Sequence, residues 1–267
     1  MFPMTSPTEN DARFACEQLA TGCDRMEHLL QGLLNPKGGV AEKVHAIRKL
    51  GKTLRGGFSL FRLGKTSARE IQAIGRLLSE PRDAVSRLNS WRKLRWKGDG
   101  SAAAAIAGLL DQQTHSAASQ PPPETVSWCA ERVAAARSHL KELPEEHLAE
   151  RIEVGIQKLR KQVAKRCREM DHRAEEDFHD ARKALKAYLG AVGFLPEGSV
   201  AIDPRMTALA ELLGDENDLA TLSNWLEGHG FTADFVPSLW KKLKDSRSKL
   251  RRRAIREAAF LELPDDG

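Results

Sequence analysis

The chain has 267 residues, of which 41% are hydrophobic, so it can bury a core as one large domain or as two small ones. No apolar run is long enough to cross a bilayer, and the first residues lack the pattern of a signal peptide, so we expect a cytoplasmic protein. The formal net charge of +5 understates how strongly charge is segregated, because residues 43–65 carry seven Lys or Arg and no acid. Such a run indicates an anionic partner.

Gly and Pro are concentrated at three joints, 35–39, 97–101 and 120–124, and the stretches between them are rich in Ala, Leu, Arg, Glu and Lys. Strong helix formers separated by short breaks predict an all-α fold. The four cysteines form no CxxC pair and lie beside apolar residues in helical stretches. This context predicts buried free thiols rather than metal ligands or redox groups.

The first basic helix is predicted over residues 42–58. At about 100° per residue its cations fall within an arc of about 120°, and Ile47 and Leu54 lie on the opposite side. The cationic stripe consists of His45, Arg48, Lys49, Lys52 and Arg55. One face of this helix is therefore expected to pack and the other to bind.

The second basic helix is predicted over residues 151–170, with Ile152, Leu159 and Val163 on its apolar side. The cations on its other side are Arg151, Lys158, Lys161, Lys165 and Arg168.

The third basic helix repeats the first. The stripe at residues 42–58 recurs at 176–192 as His179, Arg182, Lys183 and Lys186, and residues 76–91 are answered at nearly the same offset by 211–226. We therefore predict one domain built from a tandem pair of related halves. The predicted limits are 1–119 for half one, 120–124 for a Pro-rich joint and 125–267 for half two.

The fourth basic helix follows Pro237, with Leu239, Leu243 and Leu250 in its buried stripe. The cations that lie off this stripe are Lys244, Arg247, Arg251 and Arg252. All four basic faces lack interspersed acid, although like charges one turn apart cost about 0.2–0.5 kcal/mol per pair. A solvated surface would tolerate that cost, but its repetition in four helices favours a surface that binds a polyanion.

Nucleic acid and metal ions are alternative ligands. Most aromatic residues occupy apolar helical positions, and the exception is WRKLRWK at 91–97, where two tryptophans either pack or offer stacking platforms. Glu42-x-x-His45 and Glu176-x-x-His179 resemble the Glu-x-x-His element of di-iron bundles, but the cations on the same face disfavour a dinuclear site. A site on a single helix is also compatible with the spacing of His172, Glu175, Glu176 and His179.

The sequence contains no P-loop, no GxSxG motif and no convincing pair of nucleophile and base, so we expect no catalytic activity. The pairs Arg82-Asp83 and Asn217-Asp218 are expected where one helix ends and the next begins. There the polar side chain would either cap a helix or orient a basic residue toward the ligand.

The order and duplication of these motifs resemble the CHAD family, the conserved histidine α-helical domain. The resemblance rests on a His-x-x-Arg-Lys-x-x-Lys helix in each half, followed by Leu-Leu-x-x-x-Arg-Asp at 77–83 and Leu-Leu-x-x-x-Asn-Asp at 212–218. It covers nearly the whole chain, and it implies two pseudo-symmetric antiparallel helix bundles with a basic groove or cavity between them. It further implies binding of inorganic polyphosphate and association with polyphosphate granules, without catalysis and without a cofactor.

Carried over by position, the family's basic motif falls on His45, Arg48, Lys52, Arg55, His179, Arg182, Lys183 and Lys186. Family members commonly have further basic residues where this chain has Thr53, Ala187 and Leu189, so we expect a shorter stripe in the second half. The Glu-x-Glu-x-Lys signature of the triphosphate-tunnel domain is absent, which predicts a stand-alone binding module. The alternative functions are RNA or DNA binding by the same surface, and metal-dependent action on phosphorylated ligands.

Overall fold

The computed structural model describes residues 7–35, 39–116, 120–171 and 174–261, with the side chains of 80–82 left undescribed. Within these residues the chain is all-helical, which confirms the predicted fold class. The helices are α1 (Glu9–Gln31), α2 (Val40–Leu60), α3 (Ser67–Leu77), α4 (Ser79–Leu94), α5 (Gly100–Ser116), α6 (Pro123–Lys141), α7 (Leu148–Arg168), α8 (Glu175–Val192), α9 (Pro204–Gly228) and α10 (Pro237–Ala259), with a 3-10 turn at Glu145–His147.

Local chemistry sets several of the helix ends. Thr8 and Asp11 form a reciprocal capping box at the start of α1, which satisfies backbone N–H groups that have no partner within the helix. Asp203 caps α9, and Pro204 at the first helical position already has the φ angle that a helix needs. The glycine-containing joint at 97–101 separates α4 from α5 as predicted.

Two clusters of buried apolar residues hold the helices together. The larger cluster draws on α1, α2, α3, α6, α7, α8, α9 and the C-terminal end of α10. The smaller one joins α4 and α5 to the C-terminal part of α9 and the start of α10. Both clusters combine helices from either side of the Pro-rich joint, so the predicted halves share their cores. Their pseudo-symmetric arrangement and their limits stay predictions, and α6, assigned to half two, packs on α1 and α3.

The two helices that carry the repeated stripe, α2 and α8, pack directly against each other. Their backbones approach so closely that a Cβ added to Gly56 would lie 2.6 Å from the carbonyl oxygen of Ala187 and from the amide nitrogen of Ala191. On the other side of the contact, a Cβ on Gly190 would lie 3.3 Å from Cα of Thr53. Glycine at both positions allows this approach, and it brings the two stripes together.

The structure settles the expectations about packing. Cys23, Cys129 and Cys167 are buried free thiols, and Cys16 is half-buried. Burial raises the pKa of the Cys16 thiol to about 11, so even the most accessible thiol is unreactive at neutral pH. In the WRKLRWK segment, the two tryptophans pack against the smaller core with their ring centroids 6.0 Å apart.

Candidate functional site

The repeated stripes converge on one cleft beside the contact between α2 and α8. The cleft has a volume of about 200 Å³, and five cations from the two helices line it. These are Lys52, Arg55, Arg182, Lys183 and Lys186. The other described lining residues are small or uncharged, and none of them is acidic or aromatic. Among the described cavities, this cleft has the largest number of cations in its lining.

Two further cavities adjoin this cleft. The first, of about 270 Å³, shares Lys52, Arg55 and Gln72 with it and adds Arg48 and Arg76. The second, of about 410 Å³, lies toward α7 and shares a serine and a glycine with the cleft. The cations that it adds are Arg62, Lys65 and Lys158. Basic residues therefore border three neighbouring cavities along α2.

Burial and neighbouring cations both act on the charged groups of the cleft. Partial burial lowers the pKa of Arg55, and the neighbouring charge of Arg76 lowers it further. The pKa of Lys186 is lowered first by burial and then by Arg182, with a smaller contribution from Lys49, while Glu211 opposes the shift. A bound anion would oppose both shifts and favour the charged forms of Arg55 and Lys186.

Arg48 is held in place by neighbouring groups. One terminal nitrogen of its guanidinium donates to the carbonyl oxygen of Gly75 at 2.7 Å, and the other lies 3.4 Å from a carboxylate oxygen of Asp83. Only 16% of the Arg48 side chain is exposed. Asp83 thus acts as the orienting acid that was one of the two roles expected for it, and α4 anchors the stripe of α2.

The two histidines of the repeat are both exposed. His179 makes a hydrogen bond of 2.7 Å between its Nδ1 and the side-chain oxygen of Asn217. Asn217 and Asp218 lie in the middle of α9 and not at a helix end, so that expectation was wrong. A continuous α9 spans the positions that match the break between α3 and α4, and its polar residues face neighbouring helices instead of capping.

The structure corrects the expectation that the basic faces lack balancing acid. On α8, Lys183 lies 3.1 Å from Asp180. On α10, two of the four predicted ligand residues pair with the buried Glu216, Arg247 at 2.9 Å and Arg251 at 2.7 Å. Their side chains are only 16% and 12% exposed. The two arginines therefore fasten α10 to α9, and a ligand would have to compete with Glu216 for them.

The remaining predicted cations of α7 and α10 do not line the three cavities. Lys158 is the exception, since it borders the cavity toward α7. The others are exposed or half-exposed on the surface, namely Arg151, Lys161, Lys165, Arg168, Lys244 and Arg252. Thus α2 and α8 supply the centre of the candidate site and α7 adds Lys158, while a role for the other cations of α7 and α10 stays a prediction.

Sequence reasoning missed Arg62, Lys65, Arg76 and Gln72 as lining residues. The sequence contains a signal for three of these four residues. Arg62 and Lys65 belong to the acid-free run that begins at residue 43, and Arg76 opens the second repeated segment. The helical wheel of α2 does not include them, because Arg62 and Lys65 follow the end of α2 and Arg76 lies on α3.

The described residues contain no group of three or more His, Cys, Asp or Glu side chains that could hold a metal ion. His172, part of the metal site considered on a single helix, lies outside the described residues. None of the helices formed by the described residues combines the length and apolar character that crossing a membrane requires.

The fold and the site define an all-helical protein that presents a cation-lined cleft. The chain belongs to the CHAD domain family, whose model matches residues 17–227. No curated protein matches the sequence. The crystal structure of the CHAD domain from the plant Ricinus communis is similar, with a TM-score of 0.65 and 19% identity over 96% of this chain and 93% of that one. PptA from Streptomyces chartreusis has a TM-score of 0.62 and 13% identity over 93% of this chain and 99% of its own. At these identities the likeness establishes the fold alone.

Proposed function

We propose that this protein binds inorganic polyphosphate in a basic groove formed by the three adjoining cavities along α2. The observation that carries the proposal is the cleft beside α2 and α8, where five cations meet and no described lining residue is acidic. Nucleic acids are also polyanions, but their readers add stacking platforms or groups that reach base edges. The described lining of the cleft offers no aromatic ring, and Trp91 and Trp96 pack in the smaller core. A ligand made only of phosphate fits this surface best.

The residue types suit a chain of phosphates. Arg55 and Arg182 carry planar guanidinium groups, which can each donate two hydrogen bonds to one phosphate, while Lys52 and Lys186 provide compact point charges. Each phosphate that is neutralised releases counterions, so the affinity should fall steeply with salt. The two ends of the groove would then hold the outer phosphates of a longer chain.

The proposed activity is binding without catalysis. Among the described residues lining the cleft, Ser59 is the only hydroxyl, and it donates to the carbonyl oxygen of Arg55 at 2.8 Å. No carboxylate or imidazole in that lining could serve as its general base. We propose that the protein is cytoplasmic and associates with polyphosphate granules. The same groove would hold it on a surface rich in phosphate chains.

Charge deletion tests the proposal. The variant replaces with Gln three exposed lysines of the cleft, namely Lys52, Lys183 and Lys186. The control replaces with Gln three exposed lysines that line none of the three cavities, namely Lys97, Lys141 and Lys241. By analogy with single-stranded nucleic acid, losing three contacts should flatten the slope of log affinity against log salt by about 2 units, while the control keeps its slope.

Urea unfolding checks that both variants remain folded. Competition by RNA at an equal concentration of phosphate separates the proposed ligand from nucleic acid, because polyphosphate should displace bound polyphosphate far more effectively. A cleft variant that folds and retains the wild-type salt slope would refute the proposal.

A further inference from the structure

We infer that Asn217 is a positioning residue that makes proton uptake by His179 part of polyphosphate binding, an inference that rests on the proposed function. His179 is exposed on α8, one turn before Arg182 and Lys183, and these two residues line the cleft. A phosphate chain that extends from the cleft along α8 would therefore meet its ring. Its Nδ1 is 2.7 Å from Oδ1 of Asn217, which projects from the middle of α9. The ring is thus attached to a neighbouring helix on one side and open to solvent on the other.

The hydrogen bond determines where the ring carries its hydrogen. An amide oxygen can only accept, so Nδ1 of His179 must donate to Asn217. A neutral imidazole carries a single hydrogen. In the anchored neutral ring, Nε2 is therefore a bare acceptor that faces the solvent.

The bare Nε2 cannot bind phosphate. Phosphate oxygens are also acceptors, and two acceptors do not form a hydrogen bond. Once a proton from solvent adds to Nε2, the ring becomes an imidazolium that donates to Asn217 through Nδ1 and to a phosphate oxygen through Nε2. The anchored ring therefore contacts phosphate only in its charged form, and each such contact takes up one proton.

The charged groups of the protein around His179 leave it to the ligand to supply the negative charge that favours the imidazolium. On α8 they are Glu175, Glu176, Asp180, Arg182 and Lys183; α7 contributes Arg166, α2 contributes Lys49, α9 contributes Glu216 and Asp218, and α10 contributes Arg247 and Arg251. Asp180 pairs with Lys183 and Arg166, and its pKa is lowered chiefly by the hydrogen bond from Lys183. Asp180, which interacts electrostatically with His179, is thus already engaged by cations, so an arriving phosphate supplies the new negative charge.

The two halves of the repeat have different residues at the position of Asn217. In the repeat, Arg82 takes the place of Asn217. The inference therefore concerns His179 alone.

A double-mutant cycle on the full chain tests the inference, with long-chain inorganic polyphosphate as the probe. Affinity is measured at about pH 6 and about pH 8 for the wild type, Asn217→Ala, His179→Gln and the double variant. When the pH rises from about 6 to about 8, the affinity of the wild type should fall about tenfold more than that of His179→Gln. A factor of about ten corresponds to the loss of one charge-assisted hydrogen bond. Asn217→Ala should lose only about threefold more, because its free ring can place the hydrogen on Nε2 and bind while neutral.

In the His179→Gln background, the Asn217→Ala change should leave the pH dependence unaltered. A merely structural role for Asn217 would instead lower the affinity equally at both pH values and in both backgrounds, which would overturn the inference.

Nitrogen-15 spectra of the free protein give a readout that needs no ligand. The neutral ring of His179 should carry its hydrogen on Nδ1 in the wild type and not in Asn217→Ala, and a wild-type ring protonated at Nε2 alone would also overturn it. Failure of the wild type to bind polyphosphate at all would refute the proposed function instead, and the inference about binding would fall with it.

Discussion

Replacing Gly56 with Ala should separate the two stripes of the site. The added Cβ would lie 2.6 Å from two backbone atoms of α8, where ordinary contacts begin at 3.4 Å, so the helices must move apart by about 0.8 Å. Overpacking of this kind costs about 1–3 kcal/mol, while Ala in a helix gains about 0.5–1 kcal/mol over Gly. We expect a net loss of about 1–2 kcal/mol in the free energy of unfolding, together with weaker polyphosphate binding.

Gly108→Ala is the matched control. Gly108 is exposed within α5, and nothing lies within 4 Å of an added Cβ, so this variant gains the helix propensity without the clash. It should be more stable than the wild type by about 0.5–1 kcal/mol and should bind polyphosphate unchanged. Urea unfolding of both variants measures the difference. Equal stability of Gly56→Ala and Gly108→Ala would show that the close contact between α2 and α8 is not needed.

Three further outcomes are expected. Glu216→Ala leaves Arg247 and Arg251 without their buried partner, so urea unfolding should show a loss of about 3 kcal/mol, and a loss below about 1 kcal/mol would contradict the role assigned to Glu216. The hydrogen bond from Arg205 lowers the pKa of Asp203 below its unfolded value of about 3.9. The charged form of Asp203 therefore stabilises the fold above that pH. The difference in the free energy of unfolding between the wild type and Asp203→Asn should shrink as the pH falls below about 4. A difference that does not depend on pH would exclude the ion pair. Affinity for polyphosphate, measured by calorimetry across chain lengths, should rise until the ligand spans the groove, and equal affinity for triphosphate and long chains would indicate a compact site instead.

Much of the site could be predicted from the sequence because it depends on patterns within single helices. The period of 3.6 residues separates Lys52 and Arg55 from Ile47 and Leu54 on α2, and the internal repeat reproduces that separation on α8. The all-helical fold follows from the same local preferences. Family membership could also be inferred, since it rests on the order of short motifs along the chain.

The pairing between distant residues could not be predicted in the same way. Periodicity identifies a basic face but does not say which carboxylate lies opposite. It therefore predicts Arg247 and Arg251 as ligand residues, whereas in the structure both pair with the buried Glu216. Likewise, nothing local distinguishes Asp83, which orients Arg48, from an acid that caps a helix. Such contacts join positions tens of residues apart, and they exist only once the helices have packed.

The sequence by itself determined which helices are basic, which of their faces are apolar and that two of them are copies. Only the tertiary structure decided that these two copies lie side by side, because that depends on how closely Gly56 lets α2 approach the backbone of α8. It also decided that His179 is tied to Asn217. Charge and periodicity belong to each helix alone, whereas a cleft and a hydrogen bond between helices depend on the packing of the whole chain.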